Sequence, residues 1–142
     1  MKILFISAEV FPFAKRGGLA DVVGSLPKEL AKMGHDVRVV MPAYSPIEQA
    51  YANKTLEIEP LPVTMSVQVD GIQTEAGAFS GTLPNTDIPI YFIAHQELLG
   101  RPEIYGYQDD VYRFSFFSKA SCLLYTSPSP RDLSTSRMPS SA

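Results

Sequence analysis

With a single cysteine, Cys122, the 142-residue chain can close no internal disulfide and build no cysteine-based metal cluster. Histidine is almost as scarce. His35 and His95 stand far apart, with no Glu or Cys at ligand spacing, so no metal site is signalled. No apolar run is long enough to cross a bilayer. Positive charge is in short supply too: 12 Lys and Arg against 15 Asp and Glu leave a net charge of -3. A general nucleic-acid binder needs a basic face, so that class is disfavoured. Met1-Lys2 leads straight into strand-like sequence without the apolar region and cleavage site of a signal peptide, which fits a cytoplasmic or plastid-stroma setting. No internal repeat is visible. What remains is 45% hydrophobic, the composition of one ordinary globular domain.

Alternating elements fill the chain as far as about Ala120. Residues 2–7 form a nearly continuous apolar run, as expected of a strand buried on both faces. Leu19, Val22, Val23, Leu26, Leu30 and Met33 recur at three- and four-residue spacing and predict one apolar helix face. Pro27 inside that pattern predicts a kink, and Gly34 a stop. Residues 36–41 supply a second strand. Strand, helix and strand in this order predict a right-handed βαβ unit with parallel strands. Further along, residues 48–54 predict a short helix. Residues 63–69 and 73–79 predict two strands joined at Asp70-Gly71, a strong hairpin signal. Residues 88–94 predict another buried strand, with Pro89 asking for an edge or starting position. Residues 110–120 predict a helix with Val111, Phe114 and Phe117 on one side. The fold class is therefore α/β, a Rossmann-like parallel sheet with helices on both faces.

Between the first strand and first helix lies Lys15-Arg16-Gly17-Gly18-Leu19-Ala20-Asp21. A strand, a loop ending in paired glycines and a helix start together make a device for holding phosphate. The helix start presents unpaired N–H groups and the positive end of the dipole. Residues without Cβ let a ligand approach that backbone, and Lys15 adds a point charge.

The run KILFISAEVFPFAKRGGLADVVGSLPKELAKMGHDVRVVMPAY resembles the amino terminus of bacterial glycogen synthases and plant starch synthases, glycosyltransferase family 5. Lys15, Gly17, Gly18 and Leu19 meet the family signature Lys-x-Gly-Gly-Leu, and GRPEIYGYQDDVYRFSFFSKA is similar to a later loop and helix of the same domain. The resemblance implies transfer of glucose from ADP-glucose to the non-reducing end of an α-1,4-glucan, with retention. It also implies the GT-B architecture, in which two Rossmann-like domains face each other across the active site. This chain would then be the truncated N-terminal domain, and a C-terminal GT-B domain would be missing. By resemblance Lys15 contacts the sugar nucleotide's phosphate and the Gly18 backbone lies against it, Gly17 is substrate-binding in the same signature, Tyr105 lies at the donor-sugar pocket, and Asp21 is the acidic catalytic candidate near the glucose or acceptor. No cofactor or metal is implied. Arg16 departs from the family, where that position is more often small or neutral, and its side chain is expected to face solvent.

Other residues give weaker signals. His95 closes a strand at its carboxyl edge, where open α/β sheets bind ligands, and is a substrate-binding candidate. Glu9 is expected in capping or loop hydrogen bonds, and Asp109 or Asp110 as an N-cap. Tyr112, Phe114, Phe116 and Phe117 read as core. A nicotinamide-binding oxidoreductase is disfavoured, because the loop at 8–16 is long and no Gly-x-Gly-x-x-Gly follows the first strand. A non-catalytic α/β domain that binds sugar nucleotide or glucan is the alternative reading. From Cys122 the chain reads CLLYTSPSPRDLSTSRMPSSA, dense in Ser, Thr and Pro. Such composition predicts a disordered tail at 122–142 that resembles translated adapter sequence, leaving 1–121 as the native partial domain.

Overall fold

The two apolar strands and the helix between them form the expected unit. In the computed structural model, which describes residues 1–126, β1 (Lys2–Ile6), α1 (Gly18–Lys32) and β2 (Asp36–Pro42) are followed by α2 (Ser45–Ala52) and β3 (Glu59–Pro60). Then come β4 (Met65–Val69), β5 (Ile72–Thr82), β6 (Pro89–Ala94) and α3 (Asp110–Thr126). The sheet order is β1-β2-β6-β5-β3, with β4 on β5. β1, β2 and β6 are parallel, whereas β5 runs antiparallel to β6 and carries β3 and β4 as antiparallel partners. The parallel half of the sheet thus has an antiparallel extension.

The inner strands show why near-continuous apolar runs belong in such a sheet. Along β2, Val39 and Met41 enter one core while Val40 enters the other; along β6, Ile90 and Phe92 face the first and Tyr91 and Ile93 the second. Val23 of α1 and Ile47 of α2 close the first core; Phe116, Phe117, Ala120 and Leu124 of α3 close the second. Helices therefore cover both faces. β1 departs from the expected full burial. Among the described residues it pairs only with β2, and Ile6 is exposed.

Local signals were accurate at the turns. Asp70 and Gly71 both take positive φ and join β4 to β5 in a two-residue hairpin. Gly34 takes φ 95° and its N–H donates to Ala31 O, ending the turn after α1. Pro89 is the first residue of β6, where a missing N–H costs least.

Helix phases differ from the sequence expectation. On α1 the buried positions are Ala20, Val23, Gly24 and Pro27, while Leu19, Val22, Leu26 and Met33 are exposed. The helix faces its own preceding loop with small residues, and a larger stripe is displaced outward. Phe11 N–H donates to Ala20 O at 3.0 Å. A Cβ built on Gly24 would lie 2.9 Å from Phe11 O and 3.0 Å from Phe11 Cβ. Gly24→Ala is accordingly expected to destabilise the fold by about 1–3 kcal/mol through overpacking. That outweighs the gain of up to about 1 kcal/mol alanine brings to a helix interior. The check is a denaturant midpoint, and a raised midpoint would mean that the Phe11 loop yields.

α3 differs in phase and length. Its buried stripe is Arg113, Phe116, Phe117, Ala120, Ser121 and Leu124, whereas Val111 is 83% exposed. The helix does not end near Ser121: it continues to Thr126, with Leu124 packed in the second core, so residues 122–126 belong to the fold. A pair of leucines at 123–124 prolongs the helix before the Pro-rich composition begins. The rest of the expected disordered tail, 127–142, lies outside the described residues. No helix among those described is long and apolar enough to cross a membrane.

Candidate functional site

Three segments leave the carboxyl ends of the parallel strands and meet there, which is where open α/β sheets bind ligands. The segment after β1 carries Glu9 and Lys15 to Gly17. The segment after β2 carries Tyr44, whose hydroxyl donates to Ala8 O at 2.7 Å. The long loop between β6 and α3 carries Tyr105, whose hydroxyl donates to Glu9 Oε2 at 2.6 Å. Nothing local in the sequence announces a partner for Tyr44 that lies 36 residues away.

Glu9 is 4% exposed and lies beneath the glycine turn. Its Oε1 accepts from the Arg16 N–H at 2.8 Å and the Gly17 N–H at 3.0 Å. The expectation of loop hydrogen bonding holds, with a second partner on Tyr105 that sequence could not supply. Burial pushes the Glu9 carboxyl up, yet the Tyr105 hydroxyl and the two backbone N–H groups outweigh it and hold the group below its ordinary value. Tyr105 moves the opposite way: burial and then the Glu9 carboxylate raise its phenol well above the usual range, so it remains a donor.

A pH effect follows from Glu9. Because its folded-state pKa is depressed, its contribution is complete above the ordinary value of 4.5 and is lost as pH falls through the depressed one. Asp109, paired with Arg101, and Asp110 are also held below the ordinary value and add in the same sense. In Glu9→Gln the acid-side loss of unfolding free energy is expected to be shallower than in the parent. Equal acid limbs would remove Glu9 from that balance.

Lys15 Nζ sits 3.0 and 2.9 Å from the two carboxylate oxygens of Asp21, in the first turn of α1. Both side chains are about half exposed, so the pair contributes no more than about 1 kcal/mol and is readily exchanged. Arg16, expected to face solvent, is exposed and pairs with Glu103 at 3.3 Å. Gly17 caps α1 in an extended conformation, φ -158°, that any residue adopts, and no side chain caps the helix. A Cβ at Gly17 or at Gly18 would meet nothing within 4 Å. Neither the backbone angle of Gly17 nor the packing at either position requires glycine, so the fold itself does not explain the pair.

The structure brings Lys15, Gly17, Gly18, Asp21 and Tyr105 to one edge, with Glu9 connecting the two loops. His95 is engaged elsewhere. Its Nε2 lies 3.0 Å from Thr74 Oγ1, its Nδ1 accepts from the Leu98 N–H at 3.2 Å, and its ring packs edge-on against Phe116. Asp109 is bound bidentately by Arg101 at 2.7 and 2.8 Å. The Asp110 carboxylate accepts from the Gly106 and Tyr107 N–H groups and from Arg113. Among the described residues no group of three His, Cys, Asp or Glu is placed to hold a metal ion. A cavity of about 700 Å³ lies at the opposite, amino edge of β2 and β6 beside Lys28, Lys32 and His35. It is remote from this chemistry.

Comparison with known proteins gives one consistent family. A family model described as the starch synthase catalytic domain matches residues 2–131. Glycogen synthase 1 of Geobacter metallireducens is 42% identical over 127 residues, covering 85% of this chain and 24% of that protein. Glycogen synthase of Caldicellulosiruptor bescii is 46% identical over 124 residues, covering 86% and 24%. Among solved structures, the catalytic domain of Starch Synthase IV from Arabidopsis thaliana, bound to ADP and acarbose, superposes with a TM-score of 0.74 at 32% identity. That match covers 87% of this chain and 24% of the other. The chain therefore spans about a quarter of the length of the relatives it matches.

Proposed function

Because the chain belongs to the starch synthase catalytic-domain family, we propose that the protein containing it transfers glucose from ADP-glucose to the non-reducing end of an α-1,4-glucan, with retention. In this reading the described residues form part of the first of two GT-B domains. A second domain of the longer protein closes the cleft, and the setting is the cytoplasm of a bacterium or a plastid stroma. The observation that supports it is the glycine pair: open space at both positions, beside Lys15, at the uncapped start of α1.

As the glucosyl–phosphate bond breaks, negative charge grows on the departing ADP. Donors fixed beforehand around that charge stabilise the transition state more than the ground state. Lys15 supplies a cation, and the backbone N–H groups of the first turn, from Gly18 onward, supply the helix-start dipole. Asp21, released from Lys15 when phosphate takes its place, becomes available to the glucose or acceptor. Tyr105 borders the donor-sugar pocket. His95, with both ring nitrogens engaged locally, shapes the turn after β6.

The experiment is to supply the full-length protein with labelled ADP-glucose and glycogen and to measure labelled glucan. Transfer by the full-length protein and none by the 142-residue chain are expected, since half a cleft neither excludes water nor surrounds the developing charge. Absence of transfer by the full-length protein, with ADP still bound, would favour the non-catalytic binding domain instead. Gly18→Ala separates fold from function. Its stability is expected to stay within about 1 kcal/mol of the parent, while ADP affinity falls. An unchanged affinity would remove Gly18 from the phosphate site.

A further inference from the structure

We infer that Glu9 and Tyr105 form a clasp that holds the Lys15–Gly18 turn in its ligand-ready shape, so that both are positioning residues for the transfer proposed above. The inference rests on that reading of the turn as the phosphate site. Its ground is how the two Glu9 oxygens are shared. Oε1 takes the N–H groups of Arg16 and Gly17, and Oε2 takes the hydroxyl of Tyr105, 96 residues away. None of these Glu9 hydrogen bonds comes from a lysine or arginine side chain. Burying a carboxylate in this way is costly, and stability alone is a weak reason to keep it. Two anchored amides are a better one.

The far end of the clasp is itself fixed. Arg113, fully buried, donates from Nε to Leu98 O at 2.6 Å and from Nη1 to Ile104 O at 3.1 Å, two points of the β6–α3 loop that precede Tyr105. Arg101 holds Asp109 bidentately, and Asp110 accepts from the Gly106 N–H at 2.9 Å. Tyr105 therefore reports the position of a braced loop to the glycine turn. By taking the amides of Arg16 and Gly17, Glu9 also directs an incoming phosphate one step onward, to the helix start at Gly18. Because both Glu9 carboxylate oxygens are engaged inward and the side chain is buried, it acts through the turn and does not touch the ligand.

The test uses the full-length protein and ADP as the probe. Tyr105→Phe and Glu9→Gln are each expected to weaken ADP binding about 10-fold, the usual weight of a hydrogen bond to a charged group. The double variant is expected to be no weaker than the worse single, because either change opens the same clasp. The KM for glycogen stays unchanged, and deuterium uptake rises over residues 15–18 without a comparable change elsewhere. Losses that multiply, or wild-type affinity in both singles, overturn the inference. Lys15→Ala separates the two claims: retained ADP affinity there sinks the phosphate reading, whereas a loss there with unaffected clasp variants sinks only the clasp. A measurement on the unsubstituted protein needs no variant to fold. Amides of Arg16 and Gly17 are expected to be as protected without ADP as with it. Protection that arises only on ADP binding would show that the ligand, and not Glu9, orders the turn.

Discussion

Lys15→Ala in the full-length protein is expected to lower the rate of glucosyl transfer by about 10²–10³, the usual cost of removing one donor from a developing anion. The geometry makes this a clean measurement. Lys15 is about half exposed, and among the described residues it makes the exchangeable ion pair with Asp21, so the substitution leaves the core intact and the unfolding midpoint nearly unchanged. The loss should appear mainly in kcat, because the charge that Lys15 meets is larger in the transition state than in bound ADP-glucose. Lys15→Arg is expected to recover part of the rate, since the charge is retained while its reach and shape differ. A full rate in Lys15→Ala would end the phosphate assignment, whatever the fold.

Arg113→Ala is expected to be the most destabilising single change in the described chain, at about 3–5 kcal/mol, the range for breaking one side of a buried charged network. The side chain is fully buried and donates to Leu98 O, Ile104 O and Asp110 Oδ1. Its guanidinium lies 4.7 Å from the Tyr107 ring centroid and 5.2 Å from that of Phe114. Truncation leaves two carbonyls without their donor, removes the cation from Asp110 and opens a void the length of the side chain. Arg113→Lys is not expected to restore stability, because one ammonium cannot reproduce the fork that spans Leu98 and Ile104. Domain stability is commonly only about 5–15 kcal/mol, so a large drop in denaturant midpoint follows. A drop of less than about 1 kcal/mol, the size of an ordinary surface change, would show that the loop is held by other contacts.

Much of the fold could be read from local pattern. The buried runs of β2 and β6, the Asp70-Gly71 hairpin, the Gly34 stop and the Pro89 strand start all depend on a few adjacent residues. The helix faces could not be read so well. Hydropathy placed Leu19, Val22 and Leu26 inward on α1, yet that helix packs against its own loop and buries Ala20 and Gly24. On α3 the same rule favoured Val111 and passed over Arg113, which is buried because carbonyls from a distant loop receive it. At the proposed site, Lys15, Gly17 and Gly18 were legible as candidates because a lysine and a glycine pair stand within four residues at a helix start. Glu9 was legible only as a loop hydrogen-bonder.

The order of residues by itself settled the βαβ start, the position of the glycine turn at a helix start and the family to which the chain belongs. Those properties arise from backbone geometry and side-chain period over short stretches, where neighbours in sequence are neighbours in space. The tertiary structure alone decided that Tyr105 meets Glu9, that Arg113 braces the loop carrying Tyr105, and which side of α1 and α3 turns inward. Each of those depends on closing a long loop so that distant groups share one hydrogen bond or one packed face, and no local pattern encodes where such a loop will close.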